Sequence, residues 1–329
     1  MKPFFRLILL LVLLNSMLLN PVLRAADGFP LKARRILFLG DSITHAGEFV
    51  SMIEMQLRLH GTDPMPELIN AGLPSENCTG LSEPDHPFPR PNIHERLDRA
   101  LAEVKPDLVV ACYGMNDGIY YPFSEERFQK YQEGIGRLIE KVKASGARLV
   151  LLTPPPFDAM PLKTAGKLLP AGSEKYAWFA VYENYDQVIQ KYSQWLVTQS
   201  DKVDMVVDLY TPIAAFWTEK RKADPTFTVA PDGVHCNSEG HRTIAEVVLK
   251  AWGVETWIPV SESMTVLINQ KSTVLHNSWL SRIGHKRPGM EAGLPTAEAL
   301  LKAEEIDAQL QPLIKAARAS LQQSPSDAK

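Results

Sequence analysis

The stretch RILFLGDSITHAGEFV, residues 35–50, decides how the rest of the chain is read. Ile36, Leu37, Phe38 and Leu39 form an apolar run of strand length with no polar face, the pattern of a strand buried on both sides of a parallel sheet. Gly40-Asp41-Ser42 breaks that run, and a helical pattern follows over 48–60. A serine at such a strand-to-helix turn exposes its hydroxyl at the C-terminal edge of the sheet, near helix N–H groups that favour developing negative charge. Asp41 and Ser42 could equally serve only to cap the helix. The G-x-S-x-G elbow is not met, because Thr44 stands where its second glycine would be. A reactive Ser42 therefore needs a base, an acid and an oxyanion site from elsewhere.

Outward from this stretch, strand-length apolar runs alternate with helical patterns. Strands are expected over 34–40, 66–72, 107–114, 147–155 and 203–210, and helices over 48–60, 93–104, 124–145, 182–198 and 238–252. The alternation predicts an α/β fold, a three-layer α/β/α sandwich on a central parallel sheet, plus a C-terminal helical extension. In such sheets ligands sit beyond the carboxyl ends of the strands. Residues 156–181 read as a Pro-rich insertion in a domain spanning 27–255. Over 256–329, the segment 263–280 reads as helix, with a hairpin as the alternative, and 296–310 as an amphipathic helix.

The first 26 residues place Lys2 and Arg6 before an apolar run and end in small residues, the layout of a cleaved signal peptide. Asn15, Asn20 and Pro21 interrupt the run, which argues against a lasting membrane anchor. The expected location is thus exported, periplasmic or extracellular. With 329 residues, 45% hydrophobic, and a net charge of -3 without a dense basic tract, the composition is globular and gives no footprint for nucleic acid. Three cysteines are too few for a disulfide scaffold; Cys78 and Cys236 could pair, and three unpaired small apolar side chains is the plainer reading. No His/Cys spacing matches a metal site, so neither metal nor cofactor is expected.

The motif APDGVHCNSEGH, residues 230–241, puts Asp232 and His235 three apart in one loop, an acid and a base able to face one cleft. A plain turn at Asp232-Gly233 is the competing reading, and His241, inside the following helix, is a weaker rival base. Gly72, ending INAG, could bring a backbone N–H close to a ligand. Asn116, in CYGMNDG, offers a side-chain amide donor, although asparagine in a glycine-flanked turn is commonly only a turn residue. Asp41 is expected chiefly to hydrogen-bond at its turn, and Asp117 to brace the Asn116 loop. Asp41, Tyr120, Tyr121 and Trp178 are carried as weaker substrate contacts, the aromatics as sugar-stacking faces. The basic triplet His285, Lys286 and Arg287 is either a solvated turn or a contact to an anionic substrate group.

The order GDSIT, NAG, GMND, DGVH resembles the four sequence blocks of the SGNH (GDSL-type) hydrolases over residues 34–252. That resemblance implies Ser42 as nucleophile, Gly72 and Asn116 with the Ser42 N–H as oxyanion donors, and Asp232 and His235 as acid and base. It implies an esterase without a metal. GLSEPDHPFPRPNIHERLDR, GMNDGIYYPFSEERF, LTPPPFD and IGHKRPGM further resemble secreted bacterial carbohydrate-esterase-like members. The substrate expected from that likeness is a small ester or acylated carbohydrate. A lipase or thioesterase of the same family, or a non-catalytic carbohydrate-binding protein, are the alternatives.

Overall fold

The computed structural model describes residues 28–323; the expected leader over 1–26 and most of the QQSPSDAK tail lie outside the described residues. The chain runs β1 (Arg35–Gly40), α1 (Ser42–Ala46), α2 (Glu48–His60), β2 (Glu67–Asn70), a 3-10 turn (Ile93–Glu95), α3 (Leu97–Val104), β3 (Leu108–Cys112), α4 (Glu125–Ala144) and β4 (Arg148–Leu152). It continues α5 (Ala159–Thr164), β5 (Leu168–Leu169), β6 (Val181–Tyr182), α6 (Tyr185–Val197), β7 (Met205–Val207), α7 (Tyr210–Ala223), α8 (Ser238–Ala251), α9 (Glu262–Ile283) and α10 (Thr296–Gln323).

The central sheet has five parallel strands in the order β2-β1-β3-β4-β7. Because successive strand residues point to opposite faces, β1 feeds both cores. Ile36 and Phe38 pack with Phe49, Ile53, Ile213, Trp217, Ile244 and Val248 from α2, α7 and α8. Leu37 and Leu39 pack with Leu97, Ile135, Leu138, Ile189 and Tyr192 from α3, α4 and α6. This is the three-layer sandwich expected from the continuous apolar runs. A third cluster joins Met55 and Leu59 of α2 to Ile268 of α9 and Leu310 and Ile314 of α10, so the C-terminal helices pack on the sandwich.

Differences from expectation have local causes. The segment 263–280 is helical, within α9. Helix α7 lies where no helix is expected; its Pro212 sits in the first turn, where the missing N–H has no intrahelical acceptor to lose. The insertion over 156–181 holds α5 and a small β5-β6 pair rather than bare loop. All three cysteines are unpaired, and Cys78 Sγ donates to Asp117 Oδ1 at 3.1 Å.

One feature of the topology places the site. From β1 the chain adds β2 on one side and β3 on the other, which makes the end of β1 the switch point where a crevice opens. Gly40 pairs with Cys112, so the loops after β1 and β3, carrying Ser42 and Asn116, leave the sheet side by side.

Candidate active site

Asp41 caps α1 by accepting the Ile43 N–H at 2.9 Å, and this turn sets Ser42 as the first residue of α1, half-buried at the sheet edge. Capping by Asp41 therefore leaves the Ser42 hydroxyl free to meet a partner across the crevice. Across the crevice, Asp232 Oδ1 accepts the Val234 and His235 N–H groups at 3.0 and 2.7 Å, an aspartate turn that leaves Oδ2 to accept from His235 Nδ1 at 2.6 Å. His235 Nε2 then lies 2.8 Å from Ser42 Oγ. With Nδ1 protonated toward Asp232, Nε2 is the acceptor and the Ser42 hydroxyl donates to it. The loop holding this pair is tied down by Asp158, whose N–H donates to Gly233 O at 2.9 Å and whose carboxylate takes the Thr228 hydroxyl at 2.6 Å and Arg221 at 2.5 Å.

Electrostatics follow from these contacts. Burial raises the Asp232 carboxyl, but hydrogen bonds from the His235 ring and backbone outweigh it and bring it down to about 2. The hydrogen bond to Asp232 raises His235 above the ordinary imidazole value, against the opposing effect of burial. Burial lifts Asp41 to about 7. His235 and Asp232 stay 52% and 56% exposed, so the site is open rather than lidded. His241 is no rival: it is buried in α8 against Phe49, and burial lowers it to about 4.

Asn116 follows Gly114, whose φ of 143° and packing against Pro154 leave no room for a side chain. Its Oδ1 accepts from Arg90 Nη1 at 2.9 Å and from the Tyr120 hydroxyl at 3.0 Å. Those two donors fix the amide's orientation, with Nδ2 donating one hydrogen to Glu76 O at 3.1 Å and keeping the other. Asp117 braces the neighbouring loop by accepting the Cys78 and Thr79 N–H groups.

The expectation for Gly72 is corrected. Its N–H already donates to Asn70 Oδ1 at 2.9 Å. Its lack of a side chain serves packing, since a Cβ would fall 2.4 Å from the His45 backbone N in α1. Three residues on, Ser75 turns the loop at a φ of 66°, and among the described residues its N–H has no acceptor. Ser75 O accepts from Arg90 Nη1 at 3.3 Å, so one guanidinium holds both Ser75 and Asn116. Two expected substrate contacts are corrected as well. Tyr120 is 4% exposed and holds Asn116, and Asp41 is buried at its cap. Tyr121 packs its ring against Tyr176 at 5.0 Å with Arg127 over it. Trp178 is 52% exposed, beside exposed Phe179 at the tip of the 177–180 bridge.

Residues 38–243 match the GDSL-like lipase/acylhydrolase family. The chain belongs to that family. As a GDSL-like acylhydrolase it hydrolyses ester bonds. No curated protein matches it. Among solved structures, a gut microbial diltiazem-metabolizing enzyme is 20% identical with a TM-score of 0.52, covering 67% of this chain and 47% of that one, so the acylhydrolase spans about half of that neighbour. An acetyl xylan esterase is 21% identical with a TM-score of 0.49, covering 66% and 98% of the two chains. An acetylxylan esterase from Geobacillus stearothermophilus is 20% identical with a TM-score of 0.48, covering 67% and 94%.

The acylhydrolase also carries site residues that sequence reading missed. Arg90, paired to Glu83 at 2.7 and 2.6 Å, holds Asn116 and Ser75. Arg96, 1% exposed, pairs with Glu76 through two 2.7 Å bonds and donates to Ala71 O, and the Tyr113 hydroxyl also reaches Glu76. Glu83 and Arg90 both lie in SEPDHPFPR, 7 residues apart, whereas Arg96 lies in NIHER and its partner Glu76 20 residues before it, spacings that give no local signal. Among the described residues, no group of three or more His, Cys, Asp or Glu could hold a metal, and no helix is long and apolar enough to cross a membrane.

Proposed function

We propose that the chain is an exported serine esterase that removes short acyl groups, acetyl foremost, from a carbohydrate. The observation that carries this is the unbroken chain from Ser42 Oγ through His235 to Asp232. Ser42 Oγ attacks the ester carbonyl while His235 Nε2 takes its proton. The oxyanion meets the Ser42 N–H, which as the first N–H of α1 has no intrahelical acceptor, the Ser75 N–H in place of Gly72, and the spare hydrogen of Asn116 Nδ2. His235 returns the proton to the departing sugar oxygen, and the acyl group is left on Ser42. A water deprotonated by His235 then releases the acid. Asp232 holds the imidazole tautomer and stabilises the imidazolium. The open rim and the exposed Trp178 support a substrate that extends beyond one small ester. Export rests on the leader-like first 26 residues.

A fluorophosphonate probe, with acetate release from acetylated sugars measured alongside, tests this reading. One adduct on Ser42, absent in Ser42→Ala, with acetate released only by the unmodified protein, is the expected result. Equal labelling of Ser42→Ala would overturn it.

The pH dependence has a definite sign. His235 must be neutral to accept the proton, and its pKa is raised, so kcat/KM is expected to fall as pH drops through a midpoint above 6.5. Asp232 stays ionised throughout that range. Asp232→Asn removes the largest raising influence, and its midpoint is expected below that of the unmodified enzyme; a midpoint that does not move would show that the pair does not set the base.

A further inference from the structure

The loop between α9 and α10 carries His285, Lys286 and Arg287. Arg287 bends back over the crevice loop: Nε donates to Pro74 O at 3.0 Å and Nη1 to Pro288 O at 2.8 Å, with the guanidinium 5.1 Å from the centre of the Phe88 ring. Pro74 immediately precedes Ser75, so the guanidinium is anchored to the loop that presents the Ser75 N–H. Of its five N–H groups two are used, and Nη2 has no partner among the described residues.

The surrounding charges are otherwise matched. Arg90 is paired with Glu83, Arg96 with Glu76, and Lys286 and Arg99 with Glu95 at 3.6 and 3.1 Å. Among the described residues Arg287 alone of this group meets no carboxylate. It is half-buried, and burial lowers its pKa from the ordinary value. The site's own acids are committed, Asp232 to His235 and Asp41 to its cap. The field of Arg287 reaches the nucleophile's helix: His45, one turn beyond Ser42, is lowered first by burial and then by the positive charges of Arg287 and His285. A partly buried guanidinium with open N–H groups and no carboxylate partner is a ready partner for an anionic ligand.

We propose that Arg287 forms an anion subsite beside the ester crevice and recognises a carboxylate on the acylated sugar, so that the preferred substrate is an acylated uronic acid. This rests on the esterase reading above and narrows its substrate. The planar fork suits a carboxylate, and the bonds to two carbonyls together with the Phe88 ring hold it in place before the substrate arrives.

The test compares kcat/KM for an O-acetyl galacturonate with that for its primary amide, which has the same shape and no charge. A charge-assisted pair of this kind corresponds to a preference of about tenfold to a hundredfold for the acid. Arg287→Gln is expected to bring the ratio of the two kcat/KM values near one, and Arg287→Lys to keep part of it. An unmodified enzyme with no preference for the acid overturns the subsite. So does an Arg287→Gln variant that loses rate on both substrates with the ratio intact, since that is the mark of a brace on Pro74 only. Calorimetric binding of galacturonate to folded Ser42→Ala, with and without Arg287→Gln, decides the subsite independently of turnover. Failure of the fluorophosphonate labelling would instead count against the serine reading alone.

Discussion

Replacing His235 by alanine is expected to lower kcat by about 10⁵-fold or more while leaving KM within a few fold, because the imidazole acts on the proton in flight and not on the bound ester. His235 is placed for both halves of the proposed task, with Nε2 at 2.8 Å from Ser42 Oγ and Nδ1 at 2.6 Å from Asp232. His241 cannot take over, since it is buried and lowered to about 4. Asp232→Asn is expected to cost about 10⁴-fold, an amide at that position favouring the tautomer with Nε2 protonated. The two changes act on one unit, so the double variant should be scarcely slower than His235→Ala alone. Steady-state kinetics on a short aryl ester check this, and losses that multiply would mean that the two residues do not act as a pair.

The second large effect is on stability. Arg96→Met is expected to destabilise the fold by about 3–5 kcal/mol, the usual consequence of leaving one member of a buried ion pair uncompensated. The Glu76 carboxylate has no exposure to water and loses two of its three hydrogen bonds in that variant, keeping only the Tyr113 hydroxyl. Ala71 O loses its donor as well. Adding Glu76→Gln should recover part of the loss, since removing both charges leaves no unpaired ion. Urea unfolding of the three variants measures this. A neutral Arg96→Met would show that the crevice loop is held by its apolar contacts and not by this pair.

Much of the fold was legible because strands β1, β3 and β4 are buried on both faces and read as near-continuous apolar runs, while β2 is short and shows only Leu68 and Ile69 between polar ends. β7 was harder to bound: only three residues of the 203–210 run pair with β4. Within the site, Ser42, Asp232, His235 and Asn116 were legible because each lies in a short motif at a strand end or in a loop that reaches it. Asp232 shows that a turn residue and a site residue can be the same residue, one carboxylate oxygen shaping the loop while the other meets His235. Gly72 misled for a physical reason: a glycine after a strand signals close approach, and the partner approached is α1 rather than a ligand. Ser75 was invisible because serine gives no sign of a left-handed backbone. Arg90 and Arg96 act through contacts 26 and 20 residues away in sequence, which no local pattern encodes.

The position of α9 has a further consequence for the sheet. β2 is an edge strand, and an uncovered edge is a template on which strands of other molecules can add. α9 lies along β2, and His276 on that helix takes up the Asn70 carbonyl at 2.9 Å through Nδ1 while its Nε2 accepts from His45 at 2.8 Å. The C-terminal helices thus do more than enlarge the core. They cover the β2 edge of the sheet, and the histidine that caps the Asn70 carbonyl there also touches His45 of the helix bearing Ser42, so a change at that side chain would reach both the edge and the site.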